Sequence, residues 1–221
     1  MGFSDHLRQL ADPVWRAQHE HSFIRGIADG SLDDGRFRFW ICQDYLFLIE
    51  YCRLFAFAAA RSPDLVTLTR FADLLQATAR TEMDLHRTYC AEFGVSAAEL
   101  EAQTAAPTTR AYTDFLIRMA ASGDFAELVA ALLPCMWGFS EIGRRLAEGA
   151  RPVDQRYAAW IDMYASQEFA ELSAWCRELV DRVAADSGEQ VRQRMEIAFV
   201  MSSRYELAFW EMAWQLEAWP V

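Results

Sequence analysis

Apolar residues recur three and four positions apart along almost all of this 221-residue chain, and no stretch alternates apolar with polar over the length of a strand. That period places them on one face of an α-helix and argues against a sheet. Turn-forming residues cut the pattern into segments. The expected helices cover residues 4–20, 36–60, 64–93, 110–121, 124–148, 154–165, 168–185 and 189–218. Gly26, Gly30 and the run 31–35 punctuate the stretch after the first of them. Ser62-Pro63 stops the second, and Gly94 is a natural left-handed cap for the third. Ser96-Ala97-Ala98-Glu99 has the spacing of a capping box that opens a short turn of helix. Residues 104–109 are a connection rich in Pro and Thr. The fold class is therefore all-α, a single-domain helical bundle over residues 1–221.

Hydrophobic residues make up 53% of the chain, enough to bury a substantial core. The formal net charge of −11 repels phosphate backbones and anionic lipid, so nucleic-acid and membrane partners are disfavoured. The most apolar run, residues 54–60, is too short to span a bilayer. The first residues lack the pattern of a signal peptide. The five cysteines, Cys42, Cys52, Cys90, Cys135 and Cys176, are odd in number and widely spaced, which argues for a reducing, cytoplasmic setting and against a disulfide framework.

Three polar side chains sit where apolar ones are expected. Pro134 lies inside the pattern 124–148, has no N–H for the carbonyl of Ala130, and is expected to kink that helix. Next to it, Cys135 shares a face with Leu128, Ala131, Leu132, Phe139 and Ile142. Asp44 is centred on a stripe of Phe37, Trp40, Ile41, Phe47, Leu48 and Tyr51. Glu206 is centred on another, of Met195, Phe199, Ser202, Phe209, Trp210 and Ala213. A buried cysteine usually acts as a small hydrophobe, and a buried acid can be satisfied by, for example, an arginine. A thiol and two carboxyls on three separate apolar faces instead supply a nucleophile, a proton donor and a hydrogen-bond acceptor. Tyr112 and Tyr164, each among apolar neighbours, are either core aromatics or platforms for a flat heterocycle.

The histidines do not make a metal site. His19 and His21 diverge on a helix, and Glu82 with His86, four apart, reads as a structural pair without the second Glu-x-x-His that a di-iron bundle needs. There is no glycine-rich phosphate loop and no nucleophile elbow.

Six motifs carry a family resemblance. They are Trp40-Ile41-Cys42-Gln43-Asp44-Tyr45-Leu46, Glu82-Met83-Asp84-Leu85-His86-Arg87, Ala111-Tyr112-Thr113, the stretch from Pro134 to Gly143, Tyr164-Ala165-Ser166-Gln167-Glu168-Phe169, and the stretch from Tyr205 to Ala213. In this order, over nearly the whole chain, they resemble the TenA family, also called thiaminase II or aminopyrimidine aminohydrolase, in its cysteine-nucleophile branch.

The resemblance implies a haem-oxygenase-like helical fold without haem, metal or other cofactor, assembled as a cytoplasmic homotetramer. It implies hydrolysis of thiamin or of its degraded aminomethylpyrimidine to hydroxymethylpyrimidine. Carried onto this chain, Cys135 is the nucleophile and Glu206 the proton donor. Asp44 holds the pyrimidine, and Phe47, Tyr112, Phe139 and Tyr164 line the pocket. Two positions depart from the family pattern. Much of the family has tyrosine at position 47, with a hydroxyl that activates the cysteine, and tyrosine again at position 139; here both are phenylalanine. That leaves three expectations: a slower hydrolase of the same substrate, a hydrolase of a related one, or a pyrimidine-binding protein without turnover.

Overall fold

A computed structural model describes residues 2–220, the side chains of 81, 82 and 85 excepted. Among the described residues there are twelve α-helices, one π-helical turn and no strand. The chain divides into two compact units, the first formed by the residues up to Leu32 with Ala126–Glu211, the second by Asp33–Phe125 with the residues from Met212 onward.

The first unit opens with α1 (Phe3–Leu10), α2 (Asp12–His19) and α3 (Ser22–Asp29). One helix was expected over 4–20, but Pro13 sits in the first turn of α2, where its missing N–H is harmless. The helix α3 was not expected, because Gly26 reads as a breaker. Gly26 is instead a close-packing position: a Cβ there would stand 3.0 Å from Leu32. The unit continues with α9 (Phe125–Ala147), α10 (Gln155–Ala165), α11 (Gln167–Ala185) and most of α12 (Glu189–Gln215). Its core is aromatic, with Trp15 stacked on Phe199 at 5.9 Å and edge-on to Trp137 at 5.2 Å. Glu141 on α9 accepts from Arg8 (2.9 Å) and His19 (2.8 Å), which fastens α1 and α2. Burial alone pushes the Glu141 carboxyl up, but the two partners bring it down to about 2.

The second unit is organised by α4 (Asp34–Arg61), with α5 (Leu65–Ala77), a π turn (Thr78–Glu82), α6 (Met83–Glu92), α7 (Ala97–Glu101) and α8 (Pro107–Ser122). The expected continuous helix 64–93 is thus interrupted. Its end is as read: Gly94 is left-handed (φ 72°), and the Val95 N–H closes on the Cys90 carbonyl at 2.8 Å. The capping box at Ser96 and Glu99 is formed. The α8 helix starts inside the Pro- and Thr-rich connection, with Pro107 in its first turn. α12 stops at Gln215 rather than at 218, followed by Leu216 with a positive φ of 53°.

The helix α9 runs through Pro134 without ending. It is long and apolar enough to cross a membrane by length and composition, unlike the short run at 54–60. Its most apolar window has mean hydropathy 1.4, yet 72% of that window is buried in the protein, which makes it a core helix.

Candidate active site

In the first unit, α9 and α12 run side by side, and three contacts fix their direction and register. The Arg194 guanidinium meets Glu127 at 3.4 Å. The Ser202 hydroxyl donates to the Ala131 carbonyl at 2.7 Å. The Phe139 and Trp210 rings meet at 5.2 Å. The partners advance together along both helices, so the pair is parallel. Cys135 lies four residues after Ala131 and four before Phe139, and Glu206 lies four after Ser202 and four before Trp210. Four residues are a little over one turn. The thiol and the carboxyl therefore stand at the same level, each in the middle turn between two points where the helices touch.

Proline contributes to this level. Pro134 leaves the Ala130 carbonyl without its ladder donor, and the next carbonyl, that of Ala131, receives the Ser202 hydroxyl. Glu206 is 4% exposed, whereas Cys135 is only half-buried. A half-buried thiol is accessible to a small ligand; Cys52 is half-buried as well, whereas Cys42, Cys90 and Cys176 are buried. One turn further on, Phe139 packs against Tyr164 (4.8 Å) and Trp160 (6.1 Å). The first unit thus gathers Cys135, Glu206, Phe139 and Tyr164.

The placement of Tyr164 depends on Gly143. A Cβ at Gly143 would stand 2.5 Å from the Tyr164 carbonyl carbon and 2.8 Å from the Ala165 nitrogen. Backbone atoms cannot swing aside, so α9 and α10 are close here only because residue 143 has no side chain. Gly143→Ala is expected to lower the melting temperature by roughly 6–12 °C, from an overpacking cost of about 3 kcal/mol in a chain this long. Differential scanning calorimetry checks it, and an unchanged transition would mean that the two helices part at no cost.

In the second unit the other candidates gather on α4. Asp44 and Phe47 share its buried stripe. Phe47 packs against Tyr112 of α8 at 5.1 Å and stacks on Tyr51 at 5.2 Å. Next to Asp44, Gln43 ties α4 to the start of α8, donating to the Thr104 carbonyl (3.2 Å) and accepting from the Ala106 N–H and the Thr109 hydroxyl (2.8 Å each). The partner of Asp44 is not an arginine. It is His86 of α6, with Nε2 and Oδ2 2.6 Å apart and both side chains buried. The expected Glu82–His86 pair falls on Glu82, whose side chain lies outside the described residues; the ring of His86 is turned to Asp44. The periodicity of 64–93 could not reveal this. A π turn holds one residue more than an α turn, so whatever follows Thr78–Glu82 is rotated by about 100° from an uninterrupted helix.

The TENA/THI-4/PQQC family profile matches residues 8–216. An aminopyrimidine aminohydrolase of Halalkalibacterium halodurans is 42% identical over 220 residues, covering 99% of this chain and 98% of the relative. The solved structure of a TenA homologue protein from P. horikoshii OT3 superposes with a TM-score of 0.90 at 26% identity, covering 97% of this chain and 99% of that one. A domain from Shewanella denitrificans with a heme oxygenase-like fold superposes with a TM-score of 0.74 at 11% identity, covering 98% and 93% of the two chains, which speaks for the architecture alone.

Proposed function

Because the chain belongs to the TENA/THI-4/PQQC family, we propose that it is an aminopyrimidine aminohydrolase, which replaces the exocyclic amine of 4-amino-5-aminomethyl-2-methylpyrimidine by hydroxyl in thiamin salvage. The observation that carries the reading is the shared level of Cys135 and Glu206 on the parallel pair α9 and α12. Direct displacement by water at the exocyclic methylene is slow, and a nucleophile that first adds to the ring divides it into easier steps.

In this reading the Cys135 thiolate adds to the pyrimidine, forming a C–S bond, while Glu206 gives a proton to a ring nitrogen. The electron-rich ring then expels the side-chain amine, which leaves as ammonia after taking up a proton. Water adds to the methylene and its extra proton returns to the carboxylate. The C–S bond then breaks with the electron pair going back to the thiolate, and the ring nitrogen releases its proton to solvent, which balances the one the amine took up. The sum is amine plus water giving alcohol plus ammonia. Glu206 acts first as acid and then as base, a role suited to a carboxyl held away from solvent. Asp44 accepts a hydrogen bond from the ring amino group and favours the tautomer that the addition needs. Tyr112, Tyr164, Phe47 and Phe139 contribute flat surface. The reaction needs no metal or organic cofactor. The same reading takes the protein as a cytoplasmic homotetramer, a setting in keeping with five cysteines of which none is in a disulfide.

The test is incubation with aminomethylpyrimidine, followed for ammonia and the hydroxymethyl product. Product formation supports the reading, and binding without turnover would overturn it in favour of a pyrimidine-binding protein. Phe47 gives a second test. A tyrosine there supplies the hydroxyl that favours the thiolate over the thiol. Phe47→Tyr is expected to raise kcat several-fold; an unchanged or lower kcat would remove this account of position 47.

A further inference from the structure

The Asp44–His86 contact is set in a frame that holds both partners. Phe37 meets Phe93 at 5.5 Å, and Arg87 donates to the Tyr45 hydroxyl at 3.3 Å. These contacts step in opposite directions along α4 and α6, so the helices are antiparallel and Asp44 faces His86 across them. One turn further on α6, the buried thiol of Cys90 neighbours that of Cys42 on α4, which fills the space beside the pair with weakly polar groups.

A carboxylate only accepts, so the 2.6 Å contact places a proton on Nε2 of His86. That N–H occupies Oδ2. The other oxygen, Oδ1, has no hydrogen-bond partner among the described residues. A short carboxylate side chain held by one oxygen keeps one orientation, and its remaining oxygen is aimed before any ligand arrives. Preorganisation of this kind lowers the ordering cost of binding. At Oδ2 the His86 ring supplies a single directed donor and leaves Oδ1 available.

We propose that His86 is the positioning residue of the pyrimidine-holding carboxylate, donating from Nε2 to Oδ2 of Asp44 so that Oδ1 is presented to the ring amino group. This rests on the reading of Asp44 given above. The π turn before α6 acts in the same device, since it sets which face of α6 carries His86 toward α4.

The experiment compares His86→Gln with His86→Asn in the full chain, with Asp44→Ala alongside. Both histidine replacements are polar and pack in a similar volume, but only glutamine reaches far enough to place an N–H where Nε2 stands. Binding of the hydroxymethylpyrimidine product is measured by calorimetry, kcat and KM are measured on aminomethylpyrimidine, and alkylation of Cys135 by iodoacetamide monitors the nucleophile. His86→Asn is expected to weaken product binding and raise KM by about tenfold or more, the scale of a lost hydrogen bond to a charged group. His86→Gln is expected to stay within about threefold of the parent, and Cys135 to alkylate at the parent rate in both. If His86→Asn binds like the parent while Asp44→Ala does not, the positioning role is overturned and Asp44 keeps its own. Equal weakening by Gln and Asn also overturns it, since the donor would not matter. Parent-like binding in Asp44→Ala overturns the reading of Asp44 itself.

Discussion

Cys135→Ala is expected to stop turnover of aminomethylpyrimidine and to leave the pyrimidine bound. The expected fall in kcat is on the order of 10³-fold or more, because removing the nucleophile removes the covalent route and not one contact among many. Product affinity is expected to change by no more than about threefold, since a half-buried thiol contributes little binding surface compared with the aromatic rings. The substitution suits its helix. Alanine is the strongest helix former, and the ties that hold α9 to α12 run through Ala131 and Phe139, neither of which is touched. Circular dichroism is therefore expected to be unchanged, which makes a lost rate a statement about chemistry. Stopped assays for ammonia give kcat, and calorimetry with hydroxymethylpyrimidine gives affinity. A variant keeping a tenth of the parent rate would mean that water or another group opens the reaction, and the covalent mechanism would fall.

Most of the fold is legible in the sequence because helical period and helix punctuation are local. Gly94 and the capping box at Ser96 act over four or five residues, and both do what their residue types imply. The failures share a cause: in each, a residue with a strong local meaning is used for something non-local. Gly26 reads as a breaker but lies inside α3, where the absence of a side chain lets the Leu32 backbone approach. Pro134 lies inside α9, which continues through it as the pattern 124–148 implies, but the carbonyl next to the one it leaves without a donor is met by a serine 71 positions later, a partner no local pattern announces.

The candidate site divides in the same way. That Cys135, Asp44 and Glu206 lie on apolar faces follows from their own neighbours in sequence. That Cys135 and Glu206 share a level does not, since it depends on how two helices are registered. The pairing of Asp44 with His86 was hidden twice. It joins residues 42 positions apart, and the π turn shifts the face that simple periodicity assigns to His86. Its one trace in the sequence is a requirement: a carboxylate buried on an apolar stripe must have a donor.

Glu206→Gln is expected to lower kcat by about 10²–10⁴-fold with KM changed little, the range for a positioned proton donor. Glutamine has nearly the same shape and still hydrogen-bonds, so the middle turn between the Ser202 and Trp210 contacts stays packed. What it cannot do is give a proton to a ring nitrogen. The shared level of residues 135 and 206 makes a stronger prediction for the double variant. If the thiolate adds to the ring as the carboxyl protonates it, both side chains serve one transition state, and removing the second after the first costs almost nothing. Cys135→Ala/Glu206→Gln is then expected to be as slow as Cys135→Ala alone, to within about threefold, far from the product of the two single effects. Side chains acting in separate steps, or at separate places, would multiply instead. A multiplicative double variant would therefore break the link between the register of α9 and α12 and the chemistry assigned to it, even if each single variant were as slow as expected.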